Sequence, residues 1–327
     1  MSAEWPRERS AAAPRAVMKA VPEDFEVMEL AGLELEGAGE HLHLRLRKVG
    51  CSTPEVARWL ADCYHIPVSA VGYAGMKDKR AVTEQWFSVH TPAGAEVLPD
   101  CAGIEVCDAR RHSRKLRRGQ LAGNHFRVRL RDVVGDGWCE RLGVVGQQGV
   151  PNYFGPQRFG SDNLTRARTW LAERRRRRES AFTSGLYLSV LRSFLFNEVL
   201  GLRVARGNWN RWVPGDVSAE IPPRCQDRGS AAAGSPSGPL WGRGRSPAAA
   251  EALEVERTAL APHAALCNGL EHAGLAQARR SLVLKPRELQ WRAEGATVDV
   301  TFTLPPGGYA TTLLAEVFDL TTPGAPA

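Results

Sequence analysis

Apolar and polar residues alternate with a period of two in several stretches of the chain, and that period predicts strands. In "HLHLRLRKV" (41–49), Leu42, Leu44 and Leu46 alternate with His41, His43, Arg45 and Arg47, which predicts a strand with one wet face. "GNHFRVRLRDV" (123–133) alternates more strictly. Asn124, Phe126, Val128 and Leu130 fall on one face, and His125, Arg127, Arg129 and Arg131 on the other. "TEQWFSVH" and "TVDVTFTL" share this texture. "STPEVARWLADCYHI" instead opens like a helix, with Ser52 or Thr53 as N-cap, Pro54 in the first turn and Glu55 behind it. Val56, Leu60 and Cys63 form its predicted apolar stripe.

From about 161 to 290 the pattern turns helical, in "NLTRARTWLAERRRRRES", "LYLSVLRSFLFNEVLGLRVA" and "ALEVERTALAPHAALCNGLEHAGLAQARRSLV". Strands return in "TVDVTFTL", followed by a helix from "GGYATTLLAEVF". The order strand-rich, helical, strand-rich predicts an α+β domain interrupted by a helical module. Two segments lack any period. Residues 1–16 are Ala/Pro/Arg-rich and read as disordered, and the Gly/Ser/Pro-rich stretch around 222–250 reads as a flexible loop.

The 327 residues are 43% hydrophobic and 24% charged, enough for a sizeable core. The net charge of +7 favours a polyanionic partner. Seven cysteines without a C-x-x-C pair, behind a start with no apolar leader, point to reduced thiols in the cytoplasm. No apolar stretch approaches the roughly 20 residues a bilayer span requires, so no membrane partner is expected. Neither G-x-x-x-x-G-K-[ST] nor G-x-G-x-x-G occurs, and no metal-ligand spacing stands out.

The chemistry gathers in two places. "ARRHSRKLRRG" (109–119) places Arg110, Arg111, Arg114, Lys115, Arg117 and Arg118 in nine positions, just before the Arg127/Arg129/Arg131 face. Such density suits phosphate contacts, and a solvated charge run has the same composition. A second run, Arg174 to Arg178, winds around a predicted helix, so its five side chains do not share one face. Phe126, Tyr153, Phe154 and Phe159 are candidates to stack on an extruded base. In "GYAGMKDKRAVTEQWFSV" (72–89), Asp78 is crowded by Lys77, Lys79 and Arg80, and cations within reach favour its ionised form. Such an aspartate is a usable nucleophile or charge stabiliser. On composition alone it also reads as a solvated turn residue.

"KAVPEDFEV", "AGMKDKRAVTEQWFS", "GNHFRVRLR" and "VPNYFGPQRFG" together resemble the TruD family of tRNA pseudouridine synthases. "LRSFLFNEVL", "WVPGD", "EALEVERTAL", "RRSLVLKPRELQW" and "FTLPPGGYATTLLAEV" continue the resemblance in order, over roughly residues 17 to 320. The resemblance implies a pseudouridine synthase catalytic domain, a mixed, mainly antiparallel sheet flanked by helices, over 17–152 and 285–327. It implies an inserted, mainly helical TRUD domain over 153–284. It also implies isomerisation of a tRNA uridine, typically at position 13, without cofactor or metal. Asp78 then matches the family's nucleophile, Lys19 and Glu23 its active-site basic residue and supporting carboxylate, and Asn124 and Phe126 its uracil pocket. Arg110, Arg111, Arg114, Lys115, Arg117, Arg118, Arg127 and Arg129 become candidate RNA contacts. A monomer is the expectation. The competing readings are a tRNA-binding chaperone on the same scaffold, and an enzyme for a small phosphorylated substrate that only the positive charge supports.

Overall fold

A computed structural model describes residues 5–8, 13–91, 103–160, 162–173, 180–219 and 234–323. The chain forms two compact units, one of Pro14–Trp138, Pro286–Gly307 and Phe318–Ala327, the other of Met1–Ala13, Cys139–Lys285 and Gly308–Val317. In chain order, the first unit opens with β1 (Arg15–Met18), β2 (Phe25–Ala31), β3 (His41–Lys48), α1 (Thr53–Cys63), β4 (Gly72–Tyr73), β5 (Val82–His90), β6 (Ile104–His112) and β7 (Leu121–Val134). The second contains α2 (Trp138–Gln148), β8 (Val150–Pro151), α3 (Pro156–Phe159), α4 (Asn163–Ala172), α5 (Ala181–Ala205), β9 (Ser237–Leu240), α6 (Ala250–Leu260), α7 (Ala264–Glu271), β10 (Ala278–Ser281) and β11 (Val283–Leu284). The chain then returns through β12 (Arg287–Glu294), β13 (Thr297–Leu304), α8 (Ala310–Ala315) and β14 (Asp319–Thr321).

The first unit is built on one ten-stranded sheet with the path β12-β13-β7-β2-β5-β3-β6. Most pairs are antiparallel; β2 with β5 and β1 with β14 are parallel. Long β7 forms the spine, pairing with β13 from Asn124 to Leu130 and with β2 from Leu121 to Val128. Its inward residues Phe126, Val128 and Leu130 are buried as the alternation predicts. α1 covers β3 and β5: Val56, Ala57, Leu60 and Ala61 pack against Leu42, Leu44, Leu46, Phe87 and Val89. Ser52 caps α1 by accepting the Glu55 N–H, while Glu55 accepts the Ser52 N–H in return. Cys63, assigned to the apolar stripe, is exposed. The stripe instead runs through Ala57 and Ala61, which sit one turn apart and let the helix approach the sheet closely.

In the second unit α5 runs 25 residues through the core, burying Val190, Leu191, Phe194, Leu195, Phe196, Val199 and Leu200. Thr183–Ala205 is long and apolar enough to cross a membrane, which the sequence reading missed, and 56% of its most apolar window is buried inside the protein. It also holds polar contacts suited to a core helix. Asn197 brackets the Phe154 backbone with two hydrogen bonds of 3.0 Å, and Arg203 pairs with Asp216 at 3.0 Å with both side chains nearly sealed from water.

Several expectations need correction. Within the stretch 1–16, read as disordered, the described residue Trp5 donates its indole N–H to Glu198 at 2.8 Å and packs against Tyr153, Phe159 and Phe194. The stretch 222–250 lies partly outside the described residues; from Gly234 on it contains β9, paired with β10. Tyr153, Phe154 and Phe159 are core residues of the second unit, because an aromatic surrounded by apolar side chains gains more from burial than from exposure. The compact units divide at 138/139 and 285/286, and Gly308–Val317 belongs to the second.

Candidate active site

Asp78 lies in the turn from β4 to β5, and that turn is tied down along its length. The Gly75 carbonyl accepts from Gln85 Nε2 at 3.2 Å. The Lys77 N–H donates to Thr53 Oγ1 at 2.9 Å, and that hydroxyl donates to Gln85 Oε1 at 2.9 Å. Lys77 Nζ runs inward to Glu29 at 2.5 Å, with the two side chains only 6% and 1% exposed. Glu29 also accepts the Trp86 N–H at 3.3 Å. Lys79 pairs with Glu55 at 3.0 Å, and Arg80 Nη2 donates to the Pro323 carbonyl at 2.8 Å. A turn held at so many points presents its aspartate in one place, which is what chemistry at a fixed substrate atom requires.

The cations adjacent to Asp78 in sequence are therefore mostly occupied elsewhere. Among the described residues, Lys19, 59 residues away, reaches its carboxylate, and its Nζ donates to Oδ2. The Arg80 backbone N–H donates to Oδ1 at 3.0 Å. Burial pushes the Asp78 pKa up, but the Lys19 hydrogen bond and charge, the Arg80 N–H and the nearby Lys48 charge outweigh it and hold the carboxyl below its usual range. Asp78 keeps 43% of its side chain open to solvent while Lys19 keeps 12%. The carboxylate is thus both ionised and reachable.

Lys19 pays for this placement in backbone strain. Its φ of +59° is the left-handed region, which costs a non-glycine residue about 1–2 kcal/mol. The strain turns the chain between β1 and the 3-10 turn Pro22–Asp24, and the ammonium comes to lie 4.1 Å from the centroid of the Phe25 ring. Phe25 meets Phe126 edge-on at 6.0 Å, and Phe126 stacks on Phe302 at 5.4 Å. Asn124, two residues earlier on β7, is buried opposite Glu29 of β2. Its Oδ1 has no hydrogen-bond partner among the described residues, a buried acceptor that a ligand N–H would satisfy. The structure joins Lys19 to Asp78 and, through Phe25, to Phe126. Asn124 sits beside the Glu29–Lys77 pair. Glu23 is not brought to the network: it is exposed, and the buried carboxylate of its turn is Asp24, held by Arg131 at 2.7 Å.

Sequence reasoning missed Glu29, Lys48, Thr53 and Gln85. Two of these had a legible signal. Glu29 shares strand parity with Phe25 and Val27, and Lys48 with Leu42, Leu44 and Leu46, so each is a charged group placed where the alternation demands an apolar one.

The basic segment also sorts itself. Arg129 makes a bidentate pair with Asp299 at 2.8 and 2.9 Å, and Arg127 lies 3.9 Å from Glu26. That face is a ladder of cross-strand ion pairs rather than a row of unpaired cations. Arg110 pairs with Asp108 at 3.1 Å, and Arg111 donates to the carbonyls of Gly39 and Thr91. His43 is buried rather than wet, because it donates to the Arg114 carbonyl at 2.9 Å and is covered by the basic turn it anchors. Gly72 is needed under that turn, since a Cβ there would come within 2.3 Å of the Leu116 carbonyl. Lys115 donates to Ser69, and Arg118 lies over Tyr73 at 4.4 Å. Arg114 and Arg117 are exposed and have no ion pair among the described residues. Arg174 to Arg178 lie outside the described residues.

The chain is similar to known proteins over most of its length. The model of the family tRNA pseudouridine synthase D (TruD) matches residues 12–169 and 182–317. A tRNA pseudouridine synthase D from Aeromonas salmonicida (strain A449) is 41% identical over 324 residues, covering 93% of this chain and 91% of its own. One from Methylococcus capsulatus is 42% identical over 342 residues, covering 98% and 96%. In fold, the chain is similar to a solved structure from Methanosarcina mazei assigned as TruD, with a TM-score of 0.68 at 20% identity over 96% of this chain and 95% of that one. With the family model spanning most of its length and relatives just above 40% identical over nearly all of it, this chain belongs to the tRNA pseudouridine synthase D (TruD) family.

Proposed function

We propose that this chain isomerises a uridine of tRNA to pseudouridine, with Asp78 as the nucleophile and position 13 as the target its family implies. The observation that carries the reading is the ionised, accessible Asp78 carboxylate, held by a strained lysine in a turn pinned from three sides. A protein that only bound RNA would gain nothing from a negative charge displayed to a polyanion.

The target base first leaves its stack, at a cost of about a few kcal/mol. Asn124 offers its unpaired amide oxygen to the base edge, and the Phe25/Phe126/Phe302 group supplies the apolar, aromatic wall. The Asp78 carboxylate then attacks the uridine; ribose C1′ and uracil C6 are the two electrophilic carbons open to it. At C1′ the carboxylate displaces N1, and C5 of the turned base displaces the carboxylate in its turn. At C6 the carboxylate adds to the base, the N1–C1′ bond breaks, C5 bonds to C1′, and the carboxylate leaves C6 as C5 gives up its proton. The C5 proton leaves and N1 gains one. Substrate and product have the same atoms and oxidation level, so side chains alone balance the reaction. Lys19 keeps Asp78 ionised and aimed for the attack, making it a positioning residue in this scheme.

Release of tritium from tRNA labelled at uracil C5 tests the reading, because the label departs only when the base rejoins through C5. The wild-type protein is expected to release it, and binding without release would refute the proposal.

Lys19→Met should raise the pH at which activity sets in. In the wild type the lowered pKa keeps Asp78 ionised below the usual carboxylate range. Without Lys19, burial is left as the largest influence and pushes the pKa up, so the acid limb of kcat/KM moves to higher pH. The stability contribution of Asp78 has the matching sign: present above its unfolded pKa and lost as pH falls through the folded one. An acid limb unchanged in Lys19→Met would show that Lys19 does not govern this carboxylate.

Arg114→Ala and Arg117→Ala should weaken tRNA binding and lower the salt slope of log K by about one phosphate contact each. Saturating-substrate turnover should not change. Filter binding across a salt series, compared with Arg129→Ala as a paired arginine, makes the distinction.

A further inference from the structure

Lys48 ends β3 in register with Leu42, Leu44 and Leu46 and is as thoroughly buried as they are. Its ammonium donates to two main-chain carbonyls, Cys51 at 2.6 Å and Asp78 at 3.4 Å, and makes no ion pair among the described residues. A buried cation satisfied only by neutral dipoles is costly, and an aliphatic residue of the same parity would pack there at less cost. What the amine adds is a tether. It links the turn after β3 to the one main-chain carbonyl that belongs to Asp78 itself.

We propose that Lys48 is a positioning residue for the reaction: by clamping the Asp78 carbonyl to the Cys51 turn, it fixes the direction in which the Asp78 side chain leaves its loop toward Lys19 and the substrate. This inference rests on the reading of Asp78 as the nucleophile.

The surroundings give the clamp a pH signature. Opposite Lys48 stand Thr83 on β5 and Ile104 on β6, neither of them charged. Glu55 faces it from α1, Cys51 from the turn after β3, and Asp78 and Lys77 from the β4–β5 turn. Burial is the dominant influence; it outweighs the favourable Cys51, Asp78 and Glu55 contributions, Lys77 adds to it, and the pKa falls to about 8. Above that pH the amine loses the charge that strengthens its bonds to the carbonyls. Global stability should move the other way. The folded pKa lies below the unfolded one, so between about pH 8 and about 10.4 the unfolded state binds more protons and stability rises. Rate should therefore fall with rising pH over a range in which Lys48 makes the fold more stable.

The test measures tritium release from C5-labelled tRNA against pH for wild type, Lys48→Met and Asp78→Asn, alongside hydrogen exchange of wild-type amides 75–80. We expect wild-type kcat to decline through about pH 8, and Lys48→Met to lower kcat by about 100-fold with KM within twofold and no alkaline limb. Wild-type kcat in Lys48→Met, or a reduced kcat that keeps the wild-type alkaline limb, overturns the proposal. If Lys48→Met does not fold, the wild-type exchange decides. Loss of protection at 75–80 above pH 8, with the sheet still protected, supports the clamp; unchanged protection to pH 9.5 overturns it. Activity surviving in Asp78→Asn would instead remove the nucleophile reading, and the exchange data would still judge the tether separately.

Discussion

Replacing Asp78 with Asn should abolish tritium release from C5-labelled tRNA while leaving tRNA affinity within about twofold of wild type. Loss of a nucleophile that acts as part of a unit lowers turnover by on the order of 10⁴-fold or more. The amide is nearly the same size and retains an oxygen for the Arg80 N–H at Oδ1, so the turn has no steric reason to open. What disappears is the negative charge that Lys19 stabilises and that attacks the uridine. The ties from Gln85, Thr53 and Glu29 to the rest of the turn do not involve the Asp78 side chain, so the fold should survive. Residual release within tenfold of wild type, by a variant with an unchanged melting profile, would end the case for a covalent aspartate mechanism. Equal loss of binding and turnover would point to a docking role for Asp78.

The largest effect on stability is expected from Lys77→Met. Its ammonium is the partner of Glu29 in the most deeply buried ion pair among the described residues of the sheet unit. Removing one member of such a pair leaves an uncompensated buried charge, a loss of about 3–5 kcal/mol. Urea unfolding followed by tryptophan fluorescence would report it, since the Trp86 backbone N–H donates to Glu29. Adding Glu29→Gln removes the stranded charge and keeps an oxygen for the Trp86 N–H, so the double variant should recover most of the loss. If the double variant is as unstable as Lys77→Met, the cost lies in packing around the lysine stem rather than in the charge.

The periods of two along β3, β5, β7 and β13 were legible because a half-buried strand writes its burial directly into alternation. The α1 boundary was legible from Ser52, Pro54 and Glu55, whose side chains act within one turn. Local chemistry of that kind needs no knowledge of the rest of the chain. The N-terminal Trp5 was not legible, since its partners Glu198, Tyr153 and Phe194 lie far along the chain and composition around it suggests only a tail. Nor was the fate of the Arg127/Arg129 face, whose carboxylates arrive on β2 and β13.

By itself the sequence determined the strand and helix periods, the positive charge, and Asp78 as the residue its motifs single out. Only the tertiary structure decided what Asp78 touches. Sequence neighbours Lys77 and Lys79 are drawn off by Glu29 and Glu55, while Lys19, just past β1, and Lys48, at the end of β3, arrive from far along the chain to hold its carboxylate and its carbonyl. The physical reason is range: periodicity and capping act over a few residues, whereas the field that sets a carboxylate's charge acts through space between strands whose pairing the local pattern does not specify.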